Sequence, residues 1–443
     1  MAKTIRIVDG SFQFTPQRLR TPLKFGGGIV SEITSATATI TVTAPDGQTA
    51  AGRGNILLSD LWAFPTPRIP HETKDLAMRA VSERFLRKAI GTAGHPIEIY
   101  FALEDELRGL CAEITHELGL AEPFPLLAAL VCASPVDAAV HDAFGRLNRV
   151  SSYRACSAEF MEFDLSKYLG ADFEGTYPSD FLRTSLAARL PIFHLVGGVD
   201  KLSKAEVAES DPKDGLPVSL EEWIERDGVY CLKVKLRGND LAWDVERTLA
   251  VYRVARATLS SKPIHLTADS NEMCESPEYV IEYFRKLRER DAGCFDALLY
   301  YEQPTERDLA ARRFDMRRVA QIKPVLADEG VTDLESLELA RSLGWSGIAL
   351  KTCKGHSSAL LYLAKCARYG MPYSIQDLTN IGLGLIHSAG LAASSAPIMG
   401  FEYNARQYLP FAEPSIQRKH ASLFTVAAGT VSTETLAPLG LGY

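Results

Sequence analysis

Three acidic residues each close a short apolar run: Asp269 in HLTAD, Glu302 in LLYYE and Asp328 in PVLAD. Two lysines close two more, Lys235 in LKVKL and Lys351 in IALK. Carboxylates gathered without basic partners repel one another, and a divalent cation is the natural way to neutralise three of them. A lysine beside such a cation is pushed toward its neutral form and can then serve as a base. The five side chains suit the removal of a proton next to a metal-bound carboxylate, provided that the fold brings the ends of the five runs together.

The elements that must do so are legible from about residue 190. Strand-like runs occur at 192–196, 230–236, 264–269, 297–302, 323–328, 347–351, 372–376 and 397–402, with amphipathic segments such as DVERTLAVYRVARATL and SPEYVIEYFRKLRER between most of them. Eight βα units over 190–405 have the size of a TIM-type barrel, in which the ends of successive strands converge on one rim. A doubly wound sheet is the competing architecture. It needs a glycine-rich turn after its first strand, and VGGVDK is a weak version of one. The earlier part differs. Residues 4–9 and 36–43 alternate as half-buried strands do, Pro45-Asp46-Gly47 marks a turn, and helical periodicity covers 74–91, 97–118 and 134–147. We therefore read 1–156 as an α+β domain, 157–189 as a linker or insertion, 190–405 as the barrel and 406–443 as a tail packing back on the first domain.

Composition narrows the class. The chain has 443 residues, 46% of them hydrophobic, and a formal net charge of −7, which gives no footprint for nucleic acid or an anionic membrane. The start, MAKTIRIVDG, is charged and strand-like rather than a signal peptide, and no apolar run approaches the roughly 20 residues that span a bilayer. Eight cysteines include no C-x-x-C pair and read as reduced thiols, so a cytoplasmic protein is expected.

Lys233 precedes Lys235 by two and shares its face of the strand. Two lysines are costly to bury under helices, which favours the interior rim. Asp269 and Asn271 fall on one side if their strand continues. A strand-end Asp is often only a helix N-cap, but three strands in succession ending in a carboxylate make that account strained.

The order K-x-K, D-x-N, E-Q-P, A-D-E and L-K-x-x-K-G resembles the enolase superfamily. A lysine on the sixth strand points to the muconate-lactonizing-enzyme subgroup of its mandelate racemase/muconate lactonizing enzyme family. The resemblance covers nearly the whole chain. It implies an α/β fold, a modified TIM (β/α)7-8β barrel with an α+β N-terminal capping domain, and a homo-oligomer. It implies Asp269, Glu302 and Asp328 as ligands of one Mg2+, for which Mn2+ could substitute. Lys235 and Lys351 become the acid/base pair, Lys233 their electrostatic neighbour, and Asn271 and Glu329 supports of the site. Two departures matter: PYSIQDLT offers Gln376 and Asp377 where one branch has histidine, and GFEYN offers only Glu402 where another has paired aspartates.

Substrate contacts are expected from His356 in KGHSS, from Gln376, Asp377 and Glu402, and from two cap segments. One is LRTPLKFGGGIVSE, with Arg20, Lys24 and Phe25; the other is LLSDLWAFPTP, with Trp62. The expected reaction is Mg2+-dependent abstraction of the α-proton of a small-molecule carboxylate through an enediolate. Its outcome would be racemisation, epimerisation or cycloisomerisation. An acid-sugar dehydratase is the alternative within the superfamily, and a metal-free barrel using a Schiff-base lysine is the alternative outside it.

Overall fold

Alternating residues build the first sheet. Strands β1 (Ile5–Phe25), β2 (Gly28–Thr43) and β3 (Thr49–Leu57) form an antiparallel meander, and the short β4 (Ala93–Gly94) pairs with the start of β1. The β2–β3 turn is the one the sequence marks: Asp46 accepts from the Gln48 amide at 3.0 Å, and Gly47 takes φ 84°. The structure, a computed structural model, describes residues 3–25, 28–259 and 262–443, without the side chains of 23–25 and 28.

Helices His71–Ala89, Pro96–Glu117 and Leu126–Asn148 cover this sheet. The last begins well before the expected 134, because Pro135 lies inside it instead of opening it. It is apolar enough by composition to cross a membrane, yet 94% of its most apolar window is buried, so its apolarity serves the core. It lies directly on β3. A Cβ added to Gly52 would meet the Ala139 carbonyl oxygen at 2.2 Å.

The second sheet is a closed barrel. Its strands are β5 (Arg189–Val196), β6 (Cys231–Lys235), β7 (His265–Asp269), β8 (Leu298–Glu302), β9 (Val325–Ala327), β10 (Gly347–Lys351), β11 (Tyr373–Gln376) and β12 (Phe401–Glu402). They pair in parallel in chain order, and β12 returns to β5 through Phe401↔Ile192 and Glu402↔Phe193. That closure excludes the doubly wound sheet. A last strand, β13 (Thr430–Ser432), pairs antiparallel with β5. The register sets the site: Lys235 lies opposite Asp269, Asp269 opposite Glu302, and Lys351 opposite Gln376.

Residues 157–189 form short turns whose Leu165 and Phe173 pack on Leu361 and Ala364 of the helix His356–Tyr369. The tail engages both parts of the molecule. Besides β13 on the barrel, its Leu441 amide donates to Asp142 at 3.0 Å, and the Tyr443 hydroxyl donates to the Arg53 carbonyl of β3.

Candidate active site

Each strand end is shaped locally to present its side chain. After β8, Gln303 takes φ 28° and Pro304 cannot continue the ladder. The Gln303 amide oxygen accepts from the Asp328 and Gly330 amides at 2.8 and 3.2 Å, fixing the turn that carries Asp328. After β10, a 3-10 turn (Thr352–Lys354) ends at Gly355 with φ 108°. The Lys354 ammonium donates to the Asp328 and Val331 carbonyls at 2.5 and 3.0 Å, tying this turn to the preceding strand end.

Lys233 is the hub of the rim. Its ammonium lies 2.8 Å from Glu302, 3.1 Å from Asp269 and 2.6 Å from Glu402, and donates to the Gln376 amide oxygen at 3.2 Å. Burial opposes its charge, but Glu302, Glu402 and Asp269 outweigh burial and hold it protonated well above the ordinary lysine range. Glu302 is pushed the other way, up to about 8, by burial first and by repulsion from Asp269 and Asp328, with Lys233 opposing.

The two lysines expected to act on substrate flank this hub. Lys235 donates to Asp269 at 2.5 Å and to the Asn271 amide oxygen at 2.9 Å. Lys351 lies 2.7 Å from Asp328 and 4.5 Å from the centre of the Trp62 ring. Burial disfavours the Lys351 charge, yet Asp328 keeps it protonated above the usual range. Asp269 and Asp328 are both held below the ordinary carboxylate range. Burial works against their charge, and Lys235 with Lys233, or Lys351 with Lys354, overcomes it. Glu329 accepts from the Trp62 indole at 2.8 Å and from Asn271 at 3.3 Å; burial and Asp328 raise it to about 6.

Among the described residues, no three acidic, histidine or cysteine side chains close to metal-ligand geometry. Lysine ammonium groups stand between Asp269, Glu302 and Asp328. The donor set nevertheless fits a hard cation. All three are buried carboxylates, and both Asp328 carboxylate oxygens, Glu329 Oε2 and Glu402 Oε1 are buried without an aligned hydrogen bond.

A cavity opens over these groups. Its floor is Lys233, Lys235, Lys351, Asn271, Asp377 and Glu402, and Asn404 and Thr379 join it at the side. Its upper wall is largely apolar: Leu19, Val30, Ile33, Leu57 and Trp62 from the cap, with Leu195 and Leu378 from the barrel and Leu409 from the tail. Asp377 is anchored by Asn404 at 2.8 Å, and burial together with Glu402 raises it to about 7.

Three expected contacts need correction. Arg20 does not line the cavity; it grips Asp214 at 2.5 and 2.8 Å and the carbonyls of Leu216 and Pro217, because the loop after β5 crosses its path. Gln376 lies beneath the floor, donating to Glu302 at 2.5 Å. His356 turns away into the cap–barrel seam, bonded to His387 at 2.8 Å. The side chains of Lys24 and Phe25 lie outside the described residues. The apolar wall was missed: Val30 and Ile33 stand three apart in a strand, a spacing that does not by itself put them on one face. Lys354 and Gln303 were visible only as letters of motifs.

The closed parallel barrel, the antiparallel cap and a lysine–carboxylate rim at the strand ends define an enolase-type barrel protein. Residues 216–442 match the family model described as "Enolase C-terminal domain-like", and the chain belongs to that superfamily, with the mandelate racemase/muconate lactonizing enzyme group. Similar solved structures include a dipeptide epimerase from Enterococcus faecalis V583 complexed with Mg and the dipeptide L-Leu-L-Tyr; identity is 17%, coverage 99% of each chain and TM-score 0.62. The L-Ala-D/L-Glu epimerase from Bacillus subtilis is 16% identical over 99% of this chain and 98% of its own, with TM-score 0.63. A muconate lactonizing enzyme from Mycobacterium smegmatis, complexed with muconolactone, is 17% identical over 99% and 96%, with TM-score 0.61. At these identities the likeness is one of fold. A comparison with curated protein sequences returned no match.

Proposed function

We propose that this protein is an isomerase that removes the α-proton of a small-molecule carboxylate and returns a proton at another face or position, by racemisation, epimerisation or cycloisomerisation with Mg2+. The observation that carries the reading is the placement of Lys235 and Lys351. They end the second and sixth of eight barrel strands, on opposite sides of one cavity that both line, and each pairs with a buried strand-end carboxylate, Asp269 or Asp328.

Asp269, Glu302 and Asp328 would hold the cation, with Mn2+ as a substitute; when bound, it supplies positive charge against the negative charge that builds on the substrate carboxylate as the proton leaves. The lysines do the proton work. Lys235 is paired with Asp269, and Lys351 with Asp328, which keeps Lys351 protonated. Once the carboxylates are engaged elsewhere, a lysine beside other cations loses that compensation, which favours the neutral form a base needs. The lysine facing the α-hydrogen then takes it, and the protonated one opposite delivers. Trp62 shields the Lys351 side from water, and Asn271 orients Lys235.

The apolar upper wall favours a carboxylate with an apolar portion over a polyhydroxylated acid sugar, so it supports epimerase or cycloisomerase chemistry over dehydration. The dipeptide and muconolactone held by the structural relatives agree in kind. A metal-free barrel using Lys235 or Lys351 as a Schiff-base nucleophile is the alternative, and the buried Asp328 oxygens without aligned partners favour a cation site over it.

The test is solvent-deuterium incorporation over dipeptides, N-acyl amino acids, lactones and acid sugars, read by mass spectrometry with Mg2+ present. Exchange into an apolar carboxylate, abolished by EDTA and restored by Mg2+, is the expected result. Absence of exchange across the whole panel with metal bound, or borohydride trapping of substrate on a lysine, would overturn the reading.

A further inference from the structure

A second cleft is roomier than the catalytic cavity. It lies at the other end of the barrel. The helix Gly382–Ser394 leaves the rim after β11 and runs back along the strands, so Gly390 and Ser394 near its end mark the far face. The remaining walls come from the end of the cap helix, the linker and the tail.

The charge of this cleft is one-sided. Arg149, Arg154 and Arg183 line it, and no aspartate or glutamate does, in a chain whose net charge is −7. None of the three arginines forms an ion pair among the described residues. Two helix C-termini open here, and these by themselves favour cations. Their needs are largely met already: the Arg183 Nε donates to the Ser395 carbonyl at 2.6 Å, and the Arg149 amide to the Arg146 carbonyl at 3.2 Å. That leaves the terminal nitrogens of Arg183 and the whole guanidinium groups of Arg149 and Arg154 without a partner among the described residues.

A second observation is independent of the arginines. Ser394 lines the same cleft, is 2% exposed, and its hydroxyl has no hydrogen-bond partner. A buried hydroxyl left unmatched is uncommon and marks a place where a polar atom is expected. Above it, Leu182 and the 46% exposed Leu186 supply an apolar strip.

We propose that this cleft binds an organic phosphate. A phosphate dianion meets the guanidinium groups of Arg149, Arg154 and Arg183, whose planar forks match its oxygens, and the Ser394 hydroxyl donates to it. The carbon part of the ligand lies along Leu182 and Leu186. Three cationic groups without an acidic counterweight suit a dianion better than a carboxylate monoanion.

The test is calorimetric titration of the full chain at low salt with EDTA present, so that the catalytic rim carries no cation. Phenyl phosphate is the probe, with inorganic phosphate and benzoate as the other arms. Phenyl phosphate is expected to bind at least about tenfold tighter than either. The double variant Arg149→Gln/Arg154→Gln should weaken it at least about tenfold with an unchanged melting temperature, and Ser394→Ala by a smaller factor. Deuterium exchange at the rim should be unaffected in both variants. No heat with phenyl phosphate, equal affinity for benzoate or inorganic phosphate, or an affinity indifferent to the double variant overturns the proposal. So does a change in light-scattering mass in the double variant without loss of phosphate binding, which would make the cleft a protein interface.

Discussion

Two buried polar clusters, which share the stretch between Lys351 and His356, have opposite characters. The rim gathers Lys233, Lys351 and Lys354 with Asp269, Glu302, Asp328 and Glu402, charges that share partners under an open cavity. The seam gathers His95, His141, His356 and His387 between cap and barrel. There His141 meets the Ser357 hydroxyl at 2.9 Å, Ser357 donates to Asp137 at 2.7 Å, and His387 meets His356 at 2.8 Å. All four histidines are at most 4% exposed, and burial lowers each below its ordinary value. The seam's imidazoles are neutral and closed off, though His356 Nε2 also lacks an aligned partner; the rim is charged and lies under an open cavity. Burial of polar groups alone therefore does not mark chemistry. Charges with rival partners beside an accessible volume do.

The largest expected effect tests that contrast. Lys235→Ala and Lys351→Ala should each reduce exchange or turnover by roughly 10²–10⁴. The fold should survive Lys351→Ala because Lys354 stays 3.2 Å from Asp328. If the rim were structural in the manner of the seam, removing one partner of a buried pair would instead destabilise by about 3–5 kcal/mol with exchange intact. Exchange rate and urea midpoint, measured on the same samples, separate the two outcomes.

The seam has its own signature in acid. Burial holds His95 down to about 4 and His387 to about 3, against 6.5 for an unburied imidazole. The unfolded chain takes up these protons near pH 6.5, whereas the folded chain does not until far lower. The stability is thus fully present above 6.5 and is lost as pH falls toward 4. For His95 alone the loss is about 3 kcal/mol. Urea midpoints from pH 7.5 to 4.5 should fall continuously below 6.5, and a flat profile would show that the seam opens to water.

How far the sequence revealed this contrast depends on distance along the chain. The strand-closing residues Asp269, Glu302, Asp328, Lys235 and Lys351 were legible because an acid or lysine ending an apolar run is a local signal, and closure of the barrel brings them to one rim. His356 was misread because Gly355, at φ 108°, bends the chain away from the rim, and a sequence does not print that angle. Arg20 was misread because Asp214, its partner, lies 194 residues later on a loop whose route no local pattern predicts. The wall formed by Leu19, Val30 and Ile33 was missed for a related reason. Alternation shows that a hairpin has two faces but not which one lies over the barrel.

A smaller effect probes the link between cap and rim. Trp62→Phe keeps an aromatic ring over Lys351 but removes the N–H that donates to Glu329 at 2.8 Å. Loss of one hydrogen bond to a buried acid is worth about 1–3 kcal/mol, here divided between stability and rate. The expected result is a several-fold drop in turnover, and Trp62→Leu, which also loses the ring, should drop further. Equal rates for the two variants would mean that the ring over Lys351 contributes nothing.

The smallest effect belongs to Arg20→Ala. Arg20 joins the β1–β2 hairpin to the loop after β5 through Asp214 and two carbonyls, and it touches none of the rim lysines or carboxylates. Its neighbour Leu19 reaches the cavity wall, so loosening this clasp lets the wall shift while the proton-transferring groups stay in place. Substrate should bind a few-fold more weakly, with turnover at saturation nearly unchanged. Asp214→Asn, which keeps the shape and removes the charge, should give an intermediate KM. A fall in saturated turnover comparable to that of the lysine variants would instead return Arg20 to the site, with Asp214 only its resting partner.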